Sequence, residues 1–176
     1  WSSDVCSSDL IEQMRISVVK SFNVFCIIFI VMMIFSCSIE TYLTKKLAAD
    51  SEIVAYIKDN QYDVSADSTG LVYIQLSRGT GQCPKSGDLV AFHYVGYYLD
   101  GEVFDSSYDR SYPLIVELGS GQMIAGLESA LMKMNKGSKS KVIIPFYLAY
   151  NDMQDAPVPP YSNLIFEIEL LDISVK

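Results

Sequence analysis

One histidine, His93, and four cysteines are all that this chain of 176 residues offers to a transition metal or to redox chemistry, and they do not cluster. So thin a supply gives a zinc-type site little support. Basic residues are also in the minority, 13 Lys and Arg against 21 Asp and Glu, for a formal net charge of −8. An acidic chain repels phosphate backbones, so nucleic acid is not an expected partner. No motif favours calcium, a nucleotide or a redox cofactor, and the expectation is that none is used. Long hydrophobic runs are missing too: the longest block, Phe22 to Phe35, has 14 residues with one polar member, Asn23. A membrane-spanning helix needs roughly 20.

That block fits the apolar region of a secretory signal peptide, with Arg15 and Lys20 as its basic flank. It ends in Ile34-Phe35-Ser36-Cys37, a small residue directly before a cysteine, which resembles a bacterial lipobox. Cleavage there would leave Cys37 to carry lipid; an uncleaved anchor or a signal peptide with a chance cysteine is the alternative. A chain beginning at Cys37 has 11 basic and 18 acidic residues, a net charge of −7. Cys6 and Cys26 would be gone, Cys37 lipidated and Cys83 alone in a Gly-Gln-Cys-Pro loop, so no internal disulfide would form. Residues 1 to 13, where Ser-Ser-Asp recurs around Cys6 before the first Met at position 14, read as a non-native leader.

The expected division is therefore a leader over 1–13, a signal peptide over 14–36, a lipid-anchored spacer over 37–68 and a folded domain over 69–176. Half of the residues are apolar, enough to give one domain a core. In the spacer, Leu47, Ile53, Val54 and Ile57 suggest a short helix packed on the domain or a partner, with Asp50-Ser51-Glu52 supplying cap and first-turn acids. The domain reads mostly as strands: 71–76, 89–99, 102–105, 113–118, 140–144 and 164–173, separated by Gly, Pro, Asp and Ser. In the last of these, Leu164, Phe166, Ile168 and Leu170 form an inward face and Glu167 and Glu169 point outward. Ile124, Leu127, Leu131 and Met134 make one helical stripe ending at Asn135-Lys136-Gly137. A single amphipathic helix among antiparallel strands lies most naturally across the apolar face of their sheet, an α+β architecture.

The richest segment is Phe92-His93-Tyr94-Val95-Gly96-Tyr97-Tyr98-Leu99-Asp100-Gly101-Glu102-Val103-Phe104-Asp105-Ser106-Ser107. Alternation puts Phe92, Tyr94, Gly96 and Tyr98 on one face and His93, Val95 and Tyr97 on the other. Asp100-Gly101 predicts a two-residue hairpin turn, returning Phe104 and Asp105 toward Tyr94. Aromatic residues on two paired strands can line an apolar pocket.

From about residue 69 to 175 the sequence resembles the FK506-binding-protein (FKBP) type peptidyl-prolyl cis-trans isomerases. The resemblance rests on the segment just quoted, on Tyr108-Asp109-Arg110, on Leu118-Gly119 through Gln122-Met123-Ile124-Ala125-Gly126-Leu127-Glu128, on Ile144-Pro145 through Leu148-Ala149-Tyr150, and on Pro159-Pro160-Tyr161 through Leu171. It implies a curved antiparallel sheet wrapped around one short helix, with the ligand pocket between them. It also implies that Tyr94, Phe104, Val116, Met123, Ile124, Leu127, Tyr150 and Phe166 form a proline pocket with Asp105 and Arg110 at its polar edge. Of these, Tyr94, Phe104, Asp105, Tyr150 and Phe166 are the expected catalytic group. The backbone N–H of Ile124 and the hydroxyl of Tyr150 would hold substrate carbonyls, and Val158 would touch the residue before the proline.

Each position has a plainer reading. Phe104, Val116, Ile124 and Phe166 suit an ordinary core, Met123 a gap filler, Asp105 a turn cap, and Arg110 a pair with Asp109 or a nearby acid. Tyr94 and Tyr150 suit a rim, since a buried phenol needs a partner. His93 faces away from the pocket and reads as structural; Tyr97, Tyr98, Tyr108, Tyr112 and Tyr161 read as surface or rim aromatics. Against the family pattern, Leu127 stands where Trp is common, Leu114 where some members have an aromatic, and Asn151 where Gly usually follows the Ala-Tyr pair. The loop from Asp152 to Val158 lacks a histidine found in some members.

The expected function is a prolyl isomerase, lipid-anchored at the bacterial cell envelope on the periplasmic or outer-membrane side, acting on proline-containing polypeptides as exported proteins fold. The lipoprotein form is similar to gliding-motility-associated isomerases, and an FK506-like macrocycle is a possible ligand. The rivals are a non-catalytic FKBP-like chaperone and a structural subunit of an envelope complex.

Overall fold

The computed structural model describes residues 41–110 and 112–174. The leader, the signal segment and Cys37 lie outside them. The chain divides into two units, Trp1–Thr44 and Lys45–Lys176. Of the first, residues 41–44 are described and are helical.

In the second unit a helix, α1, runs over 45–59 and precedes six strands. These are β1 (Val72–Ser77), β2 (Leu89–Tyr98), β3 (Val103–Ser106), β4 (Leu114–Glu117), β5 (Lys139–Ile144) and β6 (Leu164–Ser174), with a short helix α2 (Ala125–Leu131) between β4 and β5. All pair antiparallel in the order β1-β5-β6-β2-β3, with β4 also paired to the first half of β2. The α+β sheet wrapped around a short helix is thus present.

Alternation in the strands sorts side chains onto two faces. Val142, Ile144, Leu164, Phe166, Ile168, Leu170, Val90 and Phe92 turn inward and close on Leu127, Ala130, Leu131 and Met134. The helical stripe is shorter than its sequence suggests. α2 ends at Leu131, and tight bonds from Lys133 N–H to Ala130 and from Met134 N–H to Leu131 carry Met134 into the core.

The outer face is only partly polar. Val72, Ile74, Ile143 and Ile165 gather at one end of it and are covered by Ile53, Tyr56 and Ile57 of α1. The stripe that α1 buries is therefore Ala49, Ile53, Tyr56 and Ile57; Leu47 and Val54, expected to share it, are 70% and 62% exposed. Nor does the helix begin at Asp50. Residue 50 is mid-helix and accepts a hydrogen bond from the Tyr147 hydroxyl at 2.8 Å. Buried Asn163 completes the anchorage: its Oδ1 accepts from Phe146 N–H, and its Nδ2 donates to the Ala49 carbonyl and to Glu52.

The β2–β3 turn also differs from expectation. Tyr98 N–H bonds the Glu102 carbonyl and Gly101 N–H bonds the Tyr98 carbonyl, enclosing three loop residues rather than two. Only Gly101 has positive φ, 92°, as a type I turn closed by a left-handed glycine requires. A bulge at Phe104, between the pairs Tyr97–Val103 and Gly96–Asp105, then offsets the extra loop residue and leaves Asp105 facing Gly96.

Candidate active site

The inner end of β2 meets β3, α2 and the loops after β5 in one apolar cluster. Every expected apolar site residue belongs to it. Tyr94, Val116, Leu127, Val158 and Phe166 are buried members, and Phe104, Met123, Ile124 and Tyr150 are half-buried ones packed against them. Val158 is 5% exposed, so its side chain is mainly core.

The aromatic rings meet at angles. Phe104 stands edge-on to Phe166 at 5.6 Å and 89°, Tyr94 lies 5.8 Å from Phe166, and Tyr98 lies 5.3 Å from Phe104. Such tilted contacts satisfy the ring quadrupoles and leave stiff walls. Gly96 makes the wall possible, because a Cβ there would fall 2.6 Å from the end of the Phe104 ring.

A closed polar triangle borders this wall. The Tyr94 hydroxyl donates to Asp105 Oδ2 at 2.5 Å, Arg110 Nη1 donates to Asp105 Oδ1 at 3.0 Å, and Arg110 Nη2 donates to the Tyr94 oxygen at 2.6 Å. Arg110 thus pairs with Asp105 rather than with Asp109. Burial, with the neighbouring Asp105 carboxylate, pushes the Tyr94 phenol up to about 12, so it stays neutral and donating. Desolvation raises Asp105, but the Tyr94 and Arg110 hydrogen bonds outweigh it and hold the carboxyl below its ordinary value. Bonding to Asp105 raises Arg110. Two charges and a phenol therefore neutralise one another and leave the adjoining surface apolar.

Tyr150 is half-buried near this triangle. Burial and the Asp105 charge raise its phenol, and among the described residues its hydroxyl has no partner. Ile124 caps α2 in an extended conformation, its carbonyl accepting from Leu127 and Glu128 while its own N–H meets no acceptor among the described residues. Two donors are thus free on the margin of an apolar wall. Asn151 takes φ 53°, the left-handed position that makes Asn a workable substitute for Gly.

The sequence reading missed what lies behind the wall. Ser107, fully buried, binds the backbone of Tyr94, and Tyr108 stacks on His93. No signal in the sequence shows this, because it depends on how β3 pairs with β2 and on the turn that follows β3. Among the described residues no three His, Cys, Asp or Glu side chains converge to hold a metal.

Residues 81–171 match the family model for FKBP-type peptidyl-prolyl cis-trans isomerases. The chain is 42% identical over 110 residues to the FKBP-type peptidyl-prolyl cis-trans isomerase FkpA of Escherichia coli K12, covering 62% of this chain and 40% of that one. It thus spans about two fifths of that relative's length. It is 41% identical over 113 residues to FK506-binding protein 1 of Debaryomyces hansenii, covering 63% of this chain and all of that one. Its fold is similar to the crystal structure of Escherichia coli FkpA, with a TM-score of 0.65 and 31% identity, covering 98% of this chain and 73% of that one.

Proposed function

The chain belongs to the family of FKBP-type peptidyl-prolyl cis-trans isomerases, an enzyme class, and on that footing we propose that it rotates Xaa-Pro bonds against the Phe104–Phe166–Tyr94 wall. The barrier to this rotation, about 18–20 kcal/mol, is amide resonance, which is lost as the bond twists. No nucleophile is needed. A twisted amide carries less charge on its oxygen than a planar one, so an apolar pocket costs it less desolvation. Binding the twisted form better by about 4 kcal/mol speeds the step roughly a thousandfold.

In this reading Phe104, Phe166 and Tyr94 grip the proline ring over a floor of Val116 and Leu127, and Met123 and Ile124 close its side. The free Ile124 N–H and Tyr150 hydroxyl hold substrate carbonyls. The carrying observation is the self-neutralised Tyr94–Asp105–Arg110 triangle beside that wall, polar enough to orient a peptide and without net charge to attract water. Proline-containing polypeptides are the substrates, and an FK506-like macrocycle would compete for the same wall.

The test is the cis-to-trans rate of an Xaa-Pro peptide with wild-type protein and with a Tyr94→Ala, Phe104→Ala double variant. Acceleration that vanishes in a folded double variant supports the reading; none from a folded wild type overturns it and favours the non-catalytic chaperone.

The proposal extends to place. The basic flank, the apolar block and Ser36-Cys37 support a lipoprotein at the cell envelope that serves exported polypeptides. Acyl labelling of the full chain, absent in Cys37→Ala, is the expected result; labelling that persists would remove the anchor from that residue.

A further inference from the structure

Tyr94 points into the pocket and its neighbour His93 points out of the opposite face of β2, so one strand carries both the site and whatever is fastened behind it. What is fastened there is the single helical turn Ser107–Arg110, which ends in the site's arginine. Ser107 Oγ accepts the Tyr94 N–H at 2.9 Å, donates to the Tyr94 carbonyl at 3.2 Å and lies 2.9 Å from His93 Nδ1. One hydroxyl thus ties the Tyr94 backbone to the His93 ring. The Tyr108 ring lies on the His93 ring at 4.4 Å and 17°, and its hydroxyl donates to Glu169 Oε2 at 3.0 Å. Glu169 is the residue that β6 sets opposite His93, and Lys139 of β5 holds its carboxylate at 3.0 Å.

We propose that Tyr108, stacked on His93 and tied to Glu169 on the outer face, is a positioning residue that sets the 107–110 turn so that Arg110 can hold Tyr94 and Asp105 in the site. The Tyr108 ring and hydroxyl meet His93 and Glu169 on the outer face, so the residue acts on the pocket through the turn it belongs to. Three strands hold that turn from behind: β2 through His93, β6 through Glu169 and β5 through Lys139. Exposure fits this role, since Tyr108 is 50% exposed and a stacked, half-exposed ring adds orientation more than core.

The inference rests on the isomerase reading, and its test has one arm that does not. Tyr108→Ala should lower kcat/KM for an Xaa-Pro peptide about tenfold in a folded protein, and Tyr108→Phe, which keeps the stack and loses the Glu169 bond, about twofold. In an Arg110→Ala background, Tyr108→Ala should cost little more, because the arginine it places is gone. Equal losses in both backgrounds would overturn the proposal and leave Tyr108 a stabilising surface residue. Independently of catalysis, the Arg110 side-chain N–H signals should exchange with solvent faster in Tyr108→Ala than in wild type. Unchanged exchange overturns the positioning role even if the wild type proves inactive.

Discussion

The two faces of the sheet use the same residue types for opposite ends. On the inner face, Tyr94, Phe104 and Phe166 meet as tilted rings with the margin left open; on the side of α1, the helix covers the aliphatic patch of the outer face and its lysines lie over Tyr147 and Tyr161 in the segments between β5 and β6. Lys45 and Lys46 each sit 3.4 Å from the centre of one of those rings. Aromatic content alone therefore does not mark a site. The inner rings are walls because their polar partners saturate one another, while the outer rings are fasteners because theirs bind another element.

The comparison can be broken most forcefully at its centre. Phe166→Ala, in a residue 3% exposed, should cost about 3–5 kcal/mol in urea unfolding and abolish peptide isomerisation, since it removes core and wall together. Ile53→Ala on the outer face should cost about 2–4 kcal/mol yet leave kcat/KM per folded molecule unchanged. A loss of activity there would mean the faces are coupled. Gly96→Ala is expected to separate the two effects, with a stability loss of about 1–3 kcal/mol and a larger fall in affinity for the proline ring as Phe104 is pushed aside.

The smallest effect is electrostatic. Because Asp105 is held below its usual value of 3.8, the triangle's contribution is present above about pH 4 and is lost as pH falls through the lower, folded value. Stability measured from pH 5 downward should therefore fall less steeply in Asp105→Asn than in wild type. The residue is about one third exposed, so the difference will be small and will shrink in salt.

The strands and the aromatic lining were legible because they are local. Alternation places Phe92, Tyr94 and Gly96 on one face whatever the partner strand, and the return to Phe104 follows from a turn glycine. Legibility failed where partners come from afar. Arg110 is a nearer case: spacing alone does not choose between Asp105 and Asp109, and the Ser107–Arg110 turn decides it by folding the arginine back onto Asp105. The face of α1 was misread because Leu47 and Val54 are as apolar as Ile53; only the cluster of Val72, Ile74, Ile143 and Ile165 decides which side is covered. The extra loop residue at Leu99–Gly101 is offset by the bulge at Phe104, so the expected pairing of Gly96 with Asp105 survives.

β6, the last described strand, lies between β5 and β2, and its first residues adjoin the asparagine that fastens α1. Of the six described strands, the central plank of the sheet is thus the last to be synthesised. Until it arrives, β2 and β5 have no neighbour in common and the inner apolar surface lacks Leu164, Phe166, Ile168 and Leu170. The domain stays slack until that strand is made and closes in one late, long-range event, so truncations that remove β6 should yield a soft chain that proteases cut throughout rather than a smaller folded piece.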